Sequence, residues 1–98
     1  VVTMGSKEGL ASLATAITGP GDVVLAPNPA YPIHTFGFII AGATIRSVPT
    51  TPDENYWRAL DRAMAFTVPR PSILVVGYPS NPTAETVDLA FYERLVAW

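Results

Sequence analysis

The sequence predicts an α/β fold of three layers, α/β/α, around a largely parallel sheet. Three observations carry this expectation. Apolar runs of strand length alternate along the chain with stretches of helical periodicity. The run Ser72-Ile73-Leu74-Val75-Val76 has no polar alternation, as expected of a strand covered by helices on both faces. Gly and Pro mark the junctions between these segments. The order read is strand, helix, repeated four times, which implies right-handed crossovers and helices on both sides of the sheet.

The opening "VVTMG" reads as the end of a strand. Leu10, Leu13, Ala14 and Ile17 then fall on one stripe of a helix over about 6–18, stopped by Gly19-Pro20-Gly21. "DVVLA" (22–26) is a short buried strand, and "PNPAYP" (27–32) a loop whose Pro32 suits a first helical turn. The helix that follows is expected to turn Ile33, Phe36 and Ile40 inward and to end near Gly42. "ATIRSVP" (43–49) is a strand with Ile45 and Val48 in the core. After the polar "TTPDEN", a helix over about 56–66 clusters Leu60, Ala63 and Met64. "SILVVGYP" (72–79) is the strongest strand signal, and Asp88 is placed to cap a last helix. The closing "FYERLVAW" carries no helix stop signal, so the chain reads as a fragment of a longer protein.

Composition narrows the function. Hydrophobic residues make up 49% of the 98, so a packed core is expected rather than disorder. Six basic residues and a net charge of -2 give no field for nucleic acid. Without cysteine there is no thiolate chemistry and no cysteine metal site, and the single His34 makes no metal cluster. No apolar run approaches the roughly 20 residues that span a bilayer, and no basic segment precedes an apolar one at the start. The expected setting is cytoplasmic, with no membrane partner.

In open parallel sheets, ligands bind outside the carboxyl ends of the strands. Three such ends are rich in Gly, Pro and small polar residues: Gly5-Ser6-Lys7, Pro27 to Tyr31, and Gly77 to Thr83. Ser6 and Lys7 at a helix start suit a phosphate, through free N–H groups, a hydroxyl and a charge; the plainer alternative is an N-cap and a solvated lysine. The spacing is not that of a Walker loop. Tyr31 offers a face for a flat ligand ring, or simply packs on the sheet edge. Asn81 is stiffened by Pro82 and either aims its amide at a ligand or closes a local turn. His34 is read as a partly buried, satisfied side chain. Asp53 and Glu54 are read as solvated, and Arg58, Asp61 and Arg62 as an exposed charged stripe.

Joined together, "MGSKEGLASLATAITGPGDVVLAPNPAYPIHTFGFIIAGA" and "ILVVGYPSNPTAETVD" make a pattern that resembles the class I/II aminotransferases, the fold-type I pyridoxal-phosphate enzymes. "PGDVVLAPNPAYP" and "YPSNPTA" are its specific features, and the combination is most similar to the alanine and LL-diaminopimelate aminotransferase branch. The resemblance implies part of the large, cofactor-binding domain of a homodimer, with residues 1–98 a fragment of that one domain. It implies Ser6 and Lys7 on the phosphate of pyridoxal 5'-phosphate, Tyr31 stacked on its ring, and Asn81 donating to its phenolic oxygen. It also implies that the Schiff-base lysine, the partner of the ring nitrogen and the arginine that grips the substrate all follow Trp98, so no catalytic residue is expected within these 98. The activity implied is transfer of an amino group between an amino acid and a 2-oxo acid. A β-lyase or an aminocyclopropane-carboxylate synthase on the same frame, and a non-catalytic phosphate-binding α/β module, are the alternatives.

Overall fold

A computed structural model describes residues 1–98. Four helices and three strands follow one another as α1 (Ser6–Ile17), β1 (Val23–Asn28), α2 (Ile33–Ile40), β2 (Thr44–Pro49), α3 (Glu54–Phe66), β3 (Ile73–Leu74) and α4 (Leu89–Ala97). The sheet has the order β2-β1-β3, and both pairings are parallel. Val24 lies opposite Ile45 on one side and Ile73 on the other, and Leu25 lies opposite Arg46 and Leu74.

β1 is central, and its pleat divides the core. Val24 packs with Ala14, Phe38 and Ala43 under α1 and α2. Leu25, one residue on, points to the opposite face and joins Val48, Tyr56, Trp57, Leu60, Ala63 and Phe91 under α3 and α4. The continuous burial of Val23 to Ala26 follows from this two-sided covering, and the three-layer α/β/α expectation holds.

The helix ends follow local chemistry. Asp53 accepts hydrogen bonds from the backbone N–H groups of Asn55 (2.8 Å) and Tyr56 (3.1 Å) and so starts α3 at Glu54, two residues before the predicted position. It is a cap rather than a merely solvated residue. Asp88 caps α4 through the N–H of Phe91 at 3.0 Å. Glu54 and Arg94 then pair across the two helices at 2.8 Å, with the Arg94 guanidinium 4.2 Å from the Trp57 ring centre.

Four expectations are corrected. First, the opening residues form no strand; Val1 and Val2 stand in solvent, where no neighbouring strand edge pairs with them. The sheet therefore has three strands, not four. Second, the ladder of the 72–79 segment is only Ile73–Leu74, closed by Ser72 N–H on Val23 O and Val75 N–H on Leu25 O. Odd-numbered residues of β1 face this edge, so the next donor would be residue 27, a proline without an N–H. The ladder stops there for want of a hydrogen. Third, α2 turns Gly37 and Phe38 inward, while Phe36 is 56% and Ile40 80% exposed. The helix is apolar on every side, so periodicity could not choose its face. Gly37 faces α1, where an added Cβ would lie at ordinary contact distance, 3.7 Å from Ala11 Cα and 3.8 Å from the Ala14 side chain, in a crossing of small residues. Fourth, of the α1 stripe Ala14 is buried and Leu10 packs beside it, but Leu13 and Ile17 are exposed.

Leu60 is fully buried at the centre of the larger cluster. In the full-length protein, Leu60→Ala is expected to lower unfolding stability by about 2–5 kcal/mol, read from denaturant midpoints at unchanged m-value.

Candidate functional site

The start of α1 is open. Its N-cap is Gly5, at φ 85, a left-handed conformation that side chains rarely adopt, and no side chain caps the first turn. Ser6 is thus the first helical residue and not the cap. The N–H groups of the first turn lack a side-chain acceptor and sit at the positive end of the helix dipole. Glu8, in the same turn, accepts from the Met4 N–H, which draws its carboxylate toward the chain before the helix.

Lys7 leans from this turn over Tyr31, its Nζ 5.5 Å from the ring centre. Interaction with the Tyr31 side chain raises the Lys7 pKa above its ordinary value. The two side chains share a hollow of about 220 Å³ with Pro32, Ile33 and Phe36. An ammonium from the uncapped first turn of α1 and an aromatic side chain therefore border one space. Pro32 and Ile33 open α2, so the end of β1 and the α2 start together present Tyr31.

His34 extends the site toward β3. Its ring meets Tyr31 edge-on, with centres 6.1 Å apart and planes at 80°. Its other side faces Gly77, where an added Cβ would come within 2.9 Å of His34 Cε1. Gly77 is needed for this approach: any larger residue displaces the imidazole. Partial burial lowers the His34 pKa, favouring the neutral ring. The sequence placed His34 as a satisfied, partly buried residue, and it is half-buried. Its position as the wedge between the β1 and β3 ends had one available signal, a glycine immediately after the β3 apolar run.

Behind this wedge, a polar link joins all three strand ends. Thr50, just past β2 and 3% exposed, donates its hydroxyl to Pro29 O. Tyr78 Oη donates to Thr50 O at 2.5 Å. Pro29 follows β1 and Tyr78 follows β3, so one buried threonine holds both loops.

The loop beyond Tyr78 is closed on itself. Ser80 is buried, its N–H donates to Glu85 O at 2.8 Å, and Ala84 N–H donates to Ser80 O at 2.7 Å. Asn81 stands exposed in the turn at the tip. Of the four expected ligand residues, Lys7 and Tyr31 line one hollow, and Ser6 precedes Lys7 in the first turn of α1. Asn81 lies on the adjoining loop, with its amide in contact with none of them. Asp53, Glu54, Arg58, Asp61 and Arg62 lie outside this region, on α3 or at its start.

The family model for "Aminotransferase class I and II" matches residues 1–98. The chain is 54% identical over 98 residues to a putative aminotransferase, AatC, of Rhizobium meliloti, covering 100% of this chain and 24% of that protein. It is 50% identical over 97 residues to the glutamate-pyruvate aminotransferase AlaC of Escherichia coli, covering 99% of this chain and 24% of that protein. LL-diaminopimelate aminotransferases are among the other similar proteins. A solved structure of a Thermus thermophilus aspartate aminotransferase mutant superposes with a TM-score of 0.83 at 31% identity, over 99% of this chain and 27% of that one. The chain spans about a quarter of the length of the curated relatives it matches. With the whole of its length matched, the chain belongs to the class I and II aminotransferases.

Proposed function

We propose that the protein carrying this chain is a pyridoxal-phosphate-dependent aminotransferase, moving an amino group between an amino acid and a 2-oxo acid. In this reading residues 1–98 are one segment of its cofactor-binding domain, and the intact protein is a cytoplasmic homodimer. No helix is long and apolar enough to cross a membrane. The observation that carries the reading is the hollow lined by Lys7, from the uncapped first turn of α1, and by Tyr31.

Members of this family use pyridoxal phosphate, and the residues here fit it. A phosphate needs N–H donors and a cation, and α1 offers both at Ser6 and Lys7. A pyridine ring needs a flat apolar partner, and Tyr31 borders the same space. When bound, the cofactor supplies an electron sink that the protein's own side chains lack. The residues of this chain bind and orient. Ser6 and Lys7 would hold the phosphate end, Tyr31 would lie against the ring, and Asn81 would donate to the ring's phenolic oxygen. His34, neutral and wedged against Gly77, keeps Tyr31 from turning away.

Lys7 is assigned to phosphate rather than to covalent attachment. It follows Gly5-Ser6 directly in the first turn of α1, beside backbone N–H groups with no side-chain cap, a position that suits an anion.

In the full-length protein, amino-group transfer is expected to require both an amino acid and a 2-oxo acid; turnover of the amino acid with no dependence on 2-oxo acid would contradict the reading. Lys7→Met is expected to weaken affinity for pyridoxal 5'-phosphate about tenfold or more, from loss of a charge-assisted hydrogen bond. Borohydride reduction of the loaded protein is expected to leave no cofactor mass on the peptide containing Lys7. Asn81→Ala is expected to weaken cofactor affinity and to shift the pH titration of the visible absorbance, and an unchanged titration would remove Asn81 from the site.

A further inference from the structure

We propose that Thr50 and Tyr78 are positioning residues, whose two hydrogen bonds fix the loop carrying Tyr31 against the loop carrying Asn81. The consequence for cofactor binding rests on the function proposed above; the tie between the loops does not.

The need for such a tie follows from where the sheet ends. The β1–β3 ladder closes at Val75, because Pro27 has no N–H to continue it. Beyond that point no backbone hydrogen bond joins residues 76–84 to residues 27–32. Tyr31 and Asn81 both lie past the last rung. Two contacts span the gap. One is the steric fit of His34 on Gly77, which keeps the loops from approaching. The other is the Thr50 link, which keeps them from separating.

The link is short in sequence at both ends. Pro29 O, its acceptor on the β1 side, belongs to the second residue before Tyr31. Tyr78, its donor on the β3 side, is the third residue before Asn81. Each tether is therefore a few bonds from the residue it aims. The anchor itself is firm. Thr50 continues directly from β2, whose register on β1 runs through Asn28 and Pro49. Tyr78 packs edge-on against Phe91, with ring centres 5.3 Å apart. Burial, with Glu85 and Tyr92 nearby, raises the Tyr78 pKa, so its hydroxyl keeps the proton it donates. Thr50 is buried, so its hydroxyl and carbonyl have little access to water in place of these partners, and losing them costs more than losing a surface bond.

The test uses the full-length protein with Thr50→Val, Thr50→Ser and Tyr78→Phe, the last keeping the ring that packs on Phe91. In the apo protein, backbone hydrogen exchange is read for residues 29–36 and 79–85. Thr50→Val is expected to speed exchange about three- to tenfold in the first loop, and Tyr78→Phe by a similar factor in the second. Exchange in α3 is expected to stay unchanged, and Thr50→Ser to behave as wild type. Titration of the apo protein with pyridoxal 5'-phosphate is expected to show about three- to tenfold weaker binding for Thr50→Val and Tyr78→Phe, and wild-type binding for Thr50→Ser. Unchanged exchange in both loops, or a Ser variant as perturbed as Val, overturns the proposal. So does accelerated exchange throughout the molecule, which marks a general loss of stability. A wild-type protein that binds no pyridoxal 5'-phosphate overturns the function proposed above, and the exchange measurement then decides the tie by itself.

Discussion

One buried threonine holds the end of the sheet where the candidate site lies. Thr50 reaches Pro29 with its hydroxyl and receives Tyr78 on its carbonyl, so the exits of β1, β2 and β3 meet at one residue. A parallel sheet leaves its strand ends as separate loops, each with unpaired backbone groups and its own freedom. Here the freedom is removed from behind by a polar link and from the front by a steric one, the His34 ring seated on Gly77. Tyr31 lies between these two constraints. The exposed hollow it shares with Lys7 is thus built on a rigid floor.

That floor depends in turn on β1 being buried from both sides. Val24 commits one face to α1 and α2, and Leu25 commits the other to α3 and α4. The first commitment brings α1 against α2 through Gly37, Ala11 and Ala14, where small side chains permit close approach. Lys7 and Tyr31 belong to these two neighbouring elements, Lys7 in the first turn of α1 and Tyr31 just before α2. The meeting of their side chains is a consequence of packing two turns away. The second commitment gathers Tyr56, Trp57, Phe91 and Tyr78 into one aromatic group, and this fixes the ring whose hydroxyl reaches Thr50.

The layered α/β/α architecture was legible in the sequence because it rests on local signals. Apolar runs, helical spacing and the Gly-Pro breaks each act over a few residues. The details that were not legible depend on contacts between distant segments. The face of α2 could not be read from "IHTFGFII", where apolar residues outnumber His34 and Thr35 and spread round the helix, and it is the Gly37 side that meets α1. The brevity of β3 was set by Pro27 on the neighbouring strand, not by its own composition. Ser6, Lys7 and Tyr31 were singled out because helix starts and strand ends are visible as punctuation, and the fold brings Lys7 and Tyr31 together. Thr50 was not, because a threonine after a strand has no pattern to mark it; only the fold puts Pro29 and Tyr78 on either side. Asn81 sits where its loop was expected, but that loop folds on its own Ser80 to Glu85 bonds and leaves Asn81 exposed.

The central claim is that the α1 start and the Tyr31 ring form the two walls of one cofactor site. A crystal structure of the full-length protein with pyridoxal 5'-phosphate tests it most directly. The account predicts the phosphate within hydrogen-bond reach of Lys7 Nζ and the Ser6 backbone N–H, with the pyridine ring against Tyr31. A cofactor seated on other elements, with the Lys7–Tyr31 hollow left to solvent, would contradict it.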